Sequence, residues 1–370
     1  MRILDTLVIG AGPAGLGTAL ALDVVDDLHY GVVDRGRVGQ TFLDWPEPQR
    51  FLTPSFPSNG YGATDLNSIH PLTSPAYSLG VDYPTGRQYA TYLRSVAKIF
   101  EIPVVTEVEV LDVLRSDGDL FTVETTQQTL RARTVVWAGG EFHQKGVPAI
   151  SGGDLLTHAS EKDAWRQREA DVVILGGFES GIDLACHHIA QGAKQVTVVD
   201  GSQPWDDPEA SDPSLELAPR TRMRLSQAQA SGRLAFFPSH AVEVAQGGEG
   251  FVVELEDGQK VSSTAPPIAA TGFGPGLGPV SGLFEQRDDG WPLVDDNDES
   301  TIIDGLFLSG AALRHGSKRF CFVYKFRQRY AHIAHAIGHR LGKNTDNLEA
   351  WREAGMWAED IAACGADCTC

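Results

Sequence analysis

Two short glycine-rich turns, 166 positions apart, constrain what this chain can fold into more than any other feature. The first, Gly10-Ala11-Gly12-Pro13-Ala14-Gly15, follows an apolar run from Leu4 to Ile9 and precedes an Ala/Leu-rich helical pattern from Leu16 to Leu22. A second apolar run, Tyr30 to Val33, ends at Asp34, 24 positions after Gly10. Strand, tight turn, helix, strand and terminal acid are the parts of a dinucleotide-binding unit. Gly10 permits the turn, Gly12 lets backbone N–H groups approach a pyrophosphate, and Gly15 lets helix pack on strand. Asp34, with Arg35 beside it, is placed to accept ribose hydroxyls.

The design recurs. Asp171 to Leu175 is an apolar run, Gly176-Gly177-Phe178-Glu179-Ser180-Gly181 is the turn, and Ile182 to Ala190 is the helix. Val196 to Val199 then leads to Asp200, again 24 positions after the first glycine. Phe178 stands where the middle glycine normally lies, so a plain strand-turn-helix without a ligand stays open for this copy.

Composition bounds the rest. A chain of 370 residues with 42% hydrophobic and 21% charged residues carries enough apolar material for two cores and is not disordered. Its formal net charge of -19 repels phosphate backbones and anionic lipid, so nucleic acid and membranes are excluded as expected partners. Five cysteines are too few for a disulfide scaffold and point to a reducing compartment. Asp5 and glycines at 10, 12, 15 and 17 interrupt any signal-peptide pattern, which favours the cytoplasm.

Glu107 to Val113, Phe121 to Thr125 and Thr134 to Ala138 read as strands, the last stopped by Gly139-Gly140. A matching strand ends in Ala270-Thr271-Gly272, and these two strand ends are the expected crossing points between domains. Gly305 to Ala311 reads as a buried strand and small-residue turn, followed by a helix from Phe322 to Leu341. The expected fold is α/β, with two Rossmann-like dinucleotide-binding domains, one inserted in the other: residues 1–152 with 282–345, and residues 153–281. Residues 346–370 form a C-terminal helix and Cys-rich tail. Phe51 to Pro84, rich in Pro, Ser, Asn and Gly, is a long irregular stretch of the kind that often carries function.

This layout resembles the flavoproteins with two dinucleotide-binding domains, in particular flavin-containing monooxygenases and reductases of the bacillithiol-disulfide type. The resemblance spans roughly residues 3 to 342. It implies FAD at the first turn, held by Gly10, Gly12, Pro13, Gly15 and Asp34, and a nicotinamide nucleotide at Gly176, Gly177, Glu179, Ser180, Gly181 and Asp200. It also implies that Gly39-Gln40-Thr41-Phe42 lies along the isoalloxazine with Trp45 nearby, that Gly139 and Gly272 flank the cofactors, and that Ser309-Gly310-Ala311 is the late FAD motif. The Asp usual after Gly310 is replaced by Ala311, and Ala14 stands where such reductases can carry Cys. A helix start near Phe322 would point its positive end at the flavin. His158-Ala159-Ser160 resembles a linker of the monooxygenase branch.

The activity implied is hydride transfer from a nicotinamide nucleotide to FAD. Monooxygenation of a small soft nucleophile leads; reduction of a disulfide or thiol-bound species, and a flavin-based redox or metal sensor, are the alternatives. NADH is expected over NADPH, because Asp200 accepts ribose hydroxyls and repels a 2′-phosphate. His315 and Cys321 are the candidate catalytic residues, whereas Cys186 reads as core. Cys364, Cys368 and Cys370 could hold a soft metal or metalloid, or pass disulfides to a thiol-protein partner. The other expected partners are a small-molecule substrate and a second copy in a homodimer.

Overall fold

A computed structural model of the chain describes residues 3–57, 64–116, 119–206, 214–248 and 250–358. These residues form two compact units. Residues 3–44, 53–143 and 275–358 make the first, and residues 45–52 and 144–274 the second.

In the first unit, β1 (Leu4–Ile9) leads through the glycine turn into α1 (Pro13–Leu22) and on to β2 (Tyr30–Val33). Every residue of α1 from Ala14 to Leu22 is buried, which explains its nearly uninterrupted small and apolar sequence. The short α2 (Gln40–Asp44) and α3 (Pro75–Leu79) precede the amphipathic α4 (Gly86–Ile99). That helix starts with a reciprocal capping box between Thr85 and Gln88. Strands β3 (Val104–Val105), β4 (Val110–Ser116), β5 (Leu120–Thr125) and β6 (Thr129–Trp137) complete a sheet in the order β3-β2-β1-β6-β5-β4. β3, β2, β1 and β6 run parallel, while β5 and β4 return antiparallel.

The second unit contains β7 (Thr157–His158), β8 (Asp171–Leu175), α5 (Glu179–Ala190), β9 (Gln195–Val199), α6 (Pro219–Ala230) and β10 (Leu234–Phe237). An antiparallel meander follows, of β11 (Ala241–Gly247), β12 (Gly250–Leu255) and β13 (Lys260–Ser263), and then β14 (Ile268–Ala269). The parallel sheet has the order β10-β9-β8-β14-β7. Alternate residues of β8 serve opposite faces, as a period of two requires. Val172 and Ile174 pack on the helix side with Ile182 and Leu225, and Val173 and Leu175 pack with Val244 and Val253 of the meander.

Back in the first unit, β15 (Leu306–Leu308) adds to β6 in parallel. The small hairpin β16 (Arg314–His315) and β17 (Lys318–Arg319) precedes α7 (Val323–Phe326), α8 (Tyr330–Arg340) and α9 (Glu349–Glu353). Gly17 is where α8 meets α1, since a Cβ there would lie 1.9 Å from the Tyr330 ring.

Several expectations need correction. The helix expected over Phe322 to Leu341 is broken by a 3₁₀ turn at Arg327–Arg329. That turn sends two buried guanidiniums to different partners: Arg327 to the carbonyls of Thr64, Asp65 and Ser68, and Arg329 to the Asp298 carboxylate at 2.7 Å. The strand expected from Glu107 starts at Val110, because Glu107 itself takes a left-handed φ of +61°. Of the C-terminal helix expected within residues 346–370, the described residues hold the five-residue α9, followed by Gly355 at φ +66°. The second unit begins and ends earlier than 153–281, because residues 144–146 pair with 272–274 and Ser151 bridges Glu243.

Each unit buries a neutral histidine. His70 lies 4.4 Å from the Phe100 ring and accepts the Leu72 N–H at Nδ1, and His188 donates Nε2–H to the Ala164 carbonyl at 2.9 Å. Burial pushes both down from 6.5 to about 4. The unfolded chain therefore takes up their protons first as pH falls. The stability they contribute is complete above pH 6.5 and is lost between 6.5 and about 4. Thermal denaturation should show both units losing melting temperature across that window, and His188→Gln should flatten the loss in the second unit.

Candidate active site

Within the first turn, the three glycines differ in what makes them glycine. Gly10 has φ +112°, and a Cβ on it would sit 2.3 Å from the Ala138 carbonyl oxygen; a Cβ on Gly15 would sit 1.8 Å from the Gly10 oxygen. Those two are required by the protein's own packing. A Cβ on Gly12 would meet no protein atom within 4 Å. Gly12 is also the N-cap of α1, with no side-chain cap and no acid in the first turn, so no side chain of that turn satisfies the first N–H groups of the helix. A helix start of this kind can receive a pyrophosphate. Asp34 closes the turn by accepting from Ala11 N at 2.6 Å and Gly36 N at 2.7 Å, while Arg35 is exposed.

Gly39, at φ +73°, donates to the Ala11 carbonyl and would press a Cβ to 3.1 Å from the Ala90 Cα. Gln40 is tied to Asp44 at 2.9 Å, Thr41 is half-buried, and Phe42 meets Tyr89 edge-on at 4.8 Å. At the end of β6, a Cβ on Gly139 would lie 2.7 Å from the Trp137 ring, whose Nε1 donates to the Gly276 carbonyl. The late turn closes the same region. Gly310 has φ +113° and would bring a Cβ to 2.9 Å from that of Ala14, and Ser309 Oγ lies 2.9 Å from Thr18 Oγ1. Ala311 follows, half-buried.

The second turn repeats the steric design: a Cβ on Gly176, at φ +101°, would be 2.4 Å from the Ala270 oxygen, and one on Gly181 would be 1.9 Å from the Gly176 oxygen. Asp200 accepts from Gly177 N at 2.8 Å and from the Ser202 N–H and hydroxyl. Two features separate it from the first copy. Glu179 is buried and spends its carboxylate on the Ala218 N–H and the Thr221 hydroxyl, and burial raises its pKa, so it is a brace between α5 and α6. Ser180 stays half-buried beside it. Trp205, which sequence reasoning missed, lies against the turn, where a Cβ on Gly177 would be 2.2 Å from its ring. Its position five residues after Asp200 was the only signal.

His158 accepts the Ser160 N–H at Nδ1 and donates Nε2–H to the Gly272 carbonyl at 3.0 Å, which fixes its tautomer and ties β7 to the residues after β14. Gly272, at φ +77°, also accepts from Gly146 N.

The candidate catalytic pair is not brought together as an acid/base couple. His315 Nε2 sits 2.6 Å from Asp298, a fully buried acid that also takes Arg329. Burial would raise the Asp298 pKa, but Arg329 and His315 together hold it below the usual carboxylate range. Cys321 is half-buried within electrostatic reach of Arg314. Cys186 is buried in the second unit, and burial pushes its thiol up to about 11, which suits a core residue. Trp45 groups with the second unit, 5.4 Å from Phe51, rather than with the segment before it. The helix start expected at Phe322 belongs to α7, which ends after four residues and supplies a single turn of dipole. Cys364, Cys368 and Cys370 lie outside the described residues.

Residues 7–310 match the pattern of the pyridine nucleotide-disulphide oxidoreductase family. The chain belongs to that family. It is therefore an FAD-dependent NAD(P)H oxidoreductase. The chain is 29% identical over 188 residues to the uncharacterized oxidoreductase CzcO of Bacillus subtilis, a match spanning 49% of this chain and about half, 50%, of that relative. Its fold is that of the bacillithiol disulfide reductase of Staphylococcus aureus, at TM-score 0.75 and 21% identity over 92% of this chain and 99% of the other. It is equally that of an ornithine N-hydroxylase from Kutzneria sp. 744, at TM-score 0.69 and 18% identity over 92% and 100%. No helix among the described residues is long and apolar enough to cross a membrane.

Gly12→Val should abolish bound flavin while leaving both units folded, because its side chain would enter only the cofactor's space. Gly15→Ala should instead destabilise the first unit by about 1–3 kcal/mol, the usual cost of overpacking. Flavin absorbance after desalting, with melting curves of the two variants, separates the two outcomes.

Proposed function

We propose that the chain is an NADH-preferring flavin monooxygenase acting on a small soft-nucleophile substrate. The observation that carries this reading is the lack of a dithiol among the described residues. Position 14, pressed against the late turn, is alanine, and the two cysteines among the described residues are Cys186, buried in one unit, and Cys321, in the other. A disulfide reductase needs a thiol couple that exchanges with its substrate.

FAD held at the first turn would supply two-electron chemistry between a nicotinamide and an oxidant. The chain's part is to hold, orient and shield. The uncapped N–H groups of α1 take the pyrophosphate, and Asp34 the adenosine ribose. Gly310 keeps side chains out of the close approach beside Ala14, and the Phe42–Tyr89 contact contributes an apolar wall that excludes water. In the second unit Asp200, with no basic residue in the loop through Asp206, accepts ribose hydroxyls and disfavours a 2′-phosphate.

A second reading is reduction of a disulfide or thiol-bound species through Cys364, Cys368 and Cys370. It draws on the shared fold with the bacillithiol disulfide reductase.

With catalase present, oxygen uptake should match NADH oxidation and oxygenated product across a panel of thioethers, amines and hydrosulfide. Turnover that needs a disulfide, proceeds without oxygen and disappears on truncation after Ala363 would establish the second reading instead. Stopped-flow flavin reduction should give a larger second-order rate constant with NADH than with NADPH; the reverse order removes the role assigned to Asp200.

A further inference from the structure

Arg314 is a buried cation that the reading so far does not use. The residue is only 8% exposed, and its guanidinium stacks 3.8 Å over the Trp291 ring. One amino group donates to the Ala311 and Leu313 carbonyls, which fixes the side chain on the turn that follows Gly310. Nε and the other amino group donate to nothing among the described residues, and neither is sealed from solvent.

No described carboxylate pairs with it. The acids of the surrounding segments are engaged elsewhere: Asp289 with Arg287 at 3.1 Å, Asp298 with Arg329 and His315, and Glu299 with Arg340 at 2.6 Å. Glu141, just after Gly139-Gly140, is near enough to interact through space but forms no ion pair with it, and burial raises the Glu141 pKa toward the neutral acid. Burial likewise lowers the Arg314 pKa, a cost partly offset through space by Cys321, Glu141 and Asp289. A positive charge held this way, with unused donors on an accessible edge, is the arrangement of an anion site waiting for its anion.

Its place in the fold says which anion. Arg314 is four residues from Gly310, where a Cβ would lie 2.9 Å from that of Ala14 in the first turn of α1, a helix whose start has no side-chain cap and where a Cβ on Gly12 would meet no described atom within 4 Å. Ala311 stands at the position where the resembling flavoproteins carry an acid, so nothing in this turn repels negative charge. We propose that Arg314 is a cofactor-positioning residue that pairs with an anionic part of FAD, through its diphosphate or through the ring once reduced. This rests on the assignment of FAD to the first unit. It adds a residue that the glycine fingerprint and the late motif do not contain.

The test uses full-length protein stripped of flavin and reconstituted separately with FAD and with riboflavin, by fluorescence titration, for wild type, Arg314→Gln and Arg314→Lys. Wild-type binding of FAD checks the underlying assignment on its own. Given that, Arg314→Gln should weaken FAD about ten- to a hundredfold, the range for losing one charge-assisted contact. If riboflavin affinity is unchanged, the diphosphate is the partner. If both affinities hold but the flavin midpoint potential falls, the reduced ring is, since a nearby cation favours the reduced, anionic form. Arg314→Lys should recover part of either effect, and it keeps the test valid should the glutamine variant fold poorly. Unchanged affinities and potential in a folded Arg314→Gln overturn the proposal. So does a shift confined to the pH profile of Cys321 alkylation, which would make the thiolate the missing anion.

Discussion

At Gly15 and again at Gly181 a helix approaches a strand-turn so closely that no β-carbon fits. The carbonyl oxygens of Gly10 and Gly176 lie 1.8 and 1.9 Å from where that carbon would be, and the turn residues themselves press on Ala138 and Ala270 across the sheet. Everything functional in both units is measured from this contact. It sets the N-terminus of α1 and of α5 at the carboxyl ends of the parallel strands, where orphan N–H groups can meet a phosphate. It also sets how far the acids at the ends of β2 and β9 stand from that turn. Asp34 and Asp200 consequently make the same hydrogen bond to the second residue of their turns, at 2.6 and 2.8 Å.

Once that frame is fixed, the two units diverge through what fills the space beside it. In the first, no described residue stands where a Gly12 side chain would go, and the late turn supplies glycine and a guanidinium that pairs with no described carboxylate. In the second, Trp205 lies on Gly177 and Glu179 is turned away to brace α6. The first leaves its turn open, and the second has an aromatic ring against its turn.

The first unit also buries an unusual amount of charge. Arg327 is spent on carbonyls of the irregular segment after Thr64, and Arg329 links Asp298 to the carbonyls of Asp296 and Ala358. Buried ions of this kind cost desolvation, which their hydrogen bonds and ion pairs offset. Here they fix segments that have almost no regular structure of their own.

Much of this was legible in the sequence. Both turns, their flanking strands and helices, the two terminal acids and the core role of Cys186 are local patterns, because glycine geometry and a period of two or 3.6 act over a few residues. What only the tertiary structure decided depends on partners far apart in the chain. Arg327 breaks the expected helix in order to reach residues about 260 positions away. Glu179 looks like a nucleotide contact until Thr221 takes its carboxylate, and Trp45 reads with the residues before it although it packs on Phe51 within the second unit. The charge of Arg314 is the clearest case: a sequence shows that an arginine is present, but only the positions of the described acids show that none of them forms an ion pair with it.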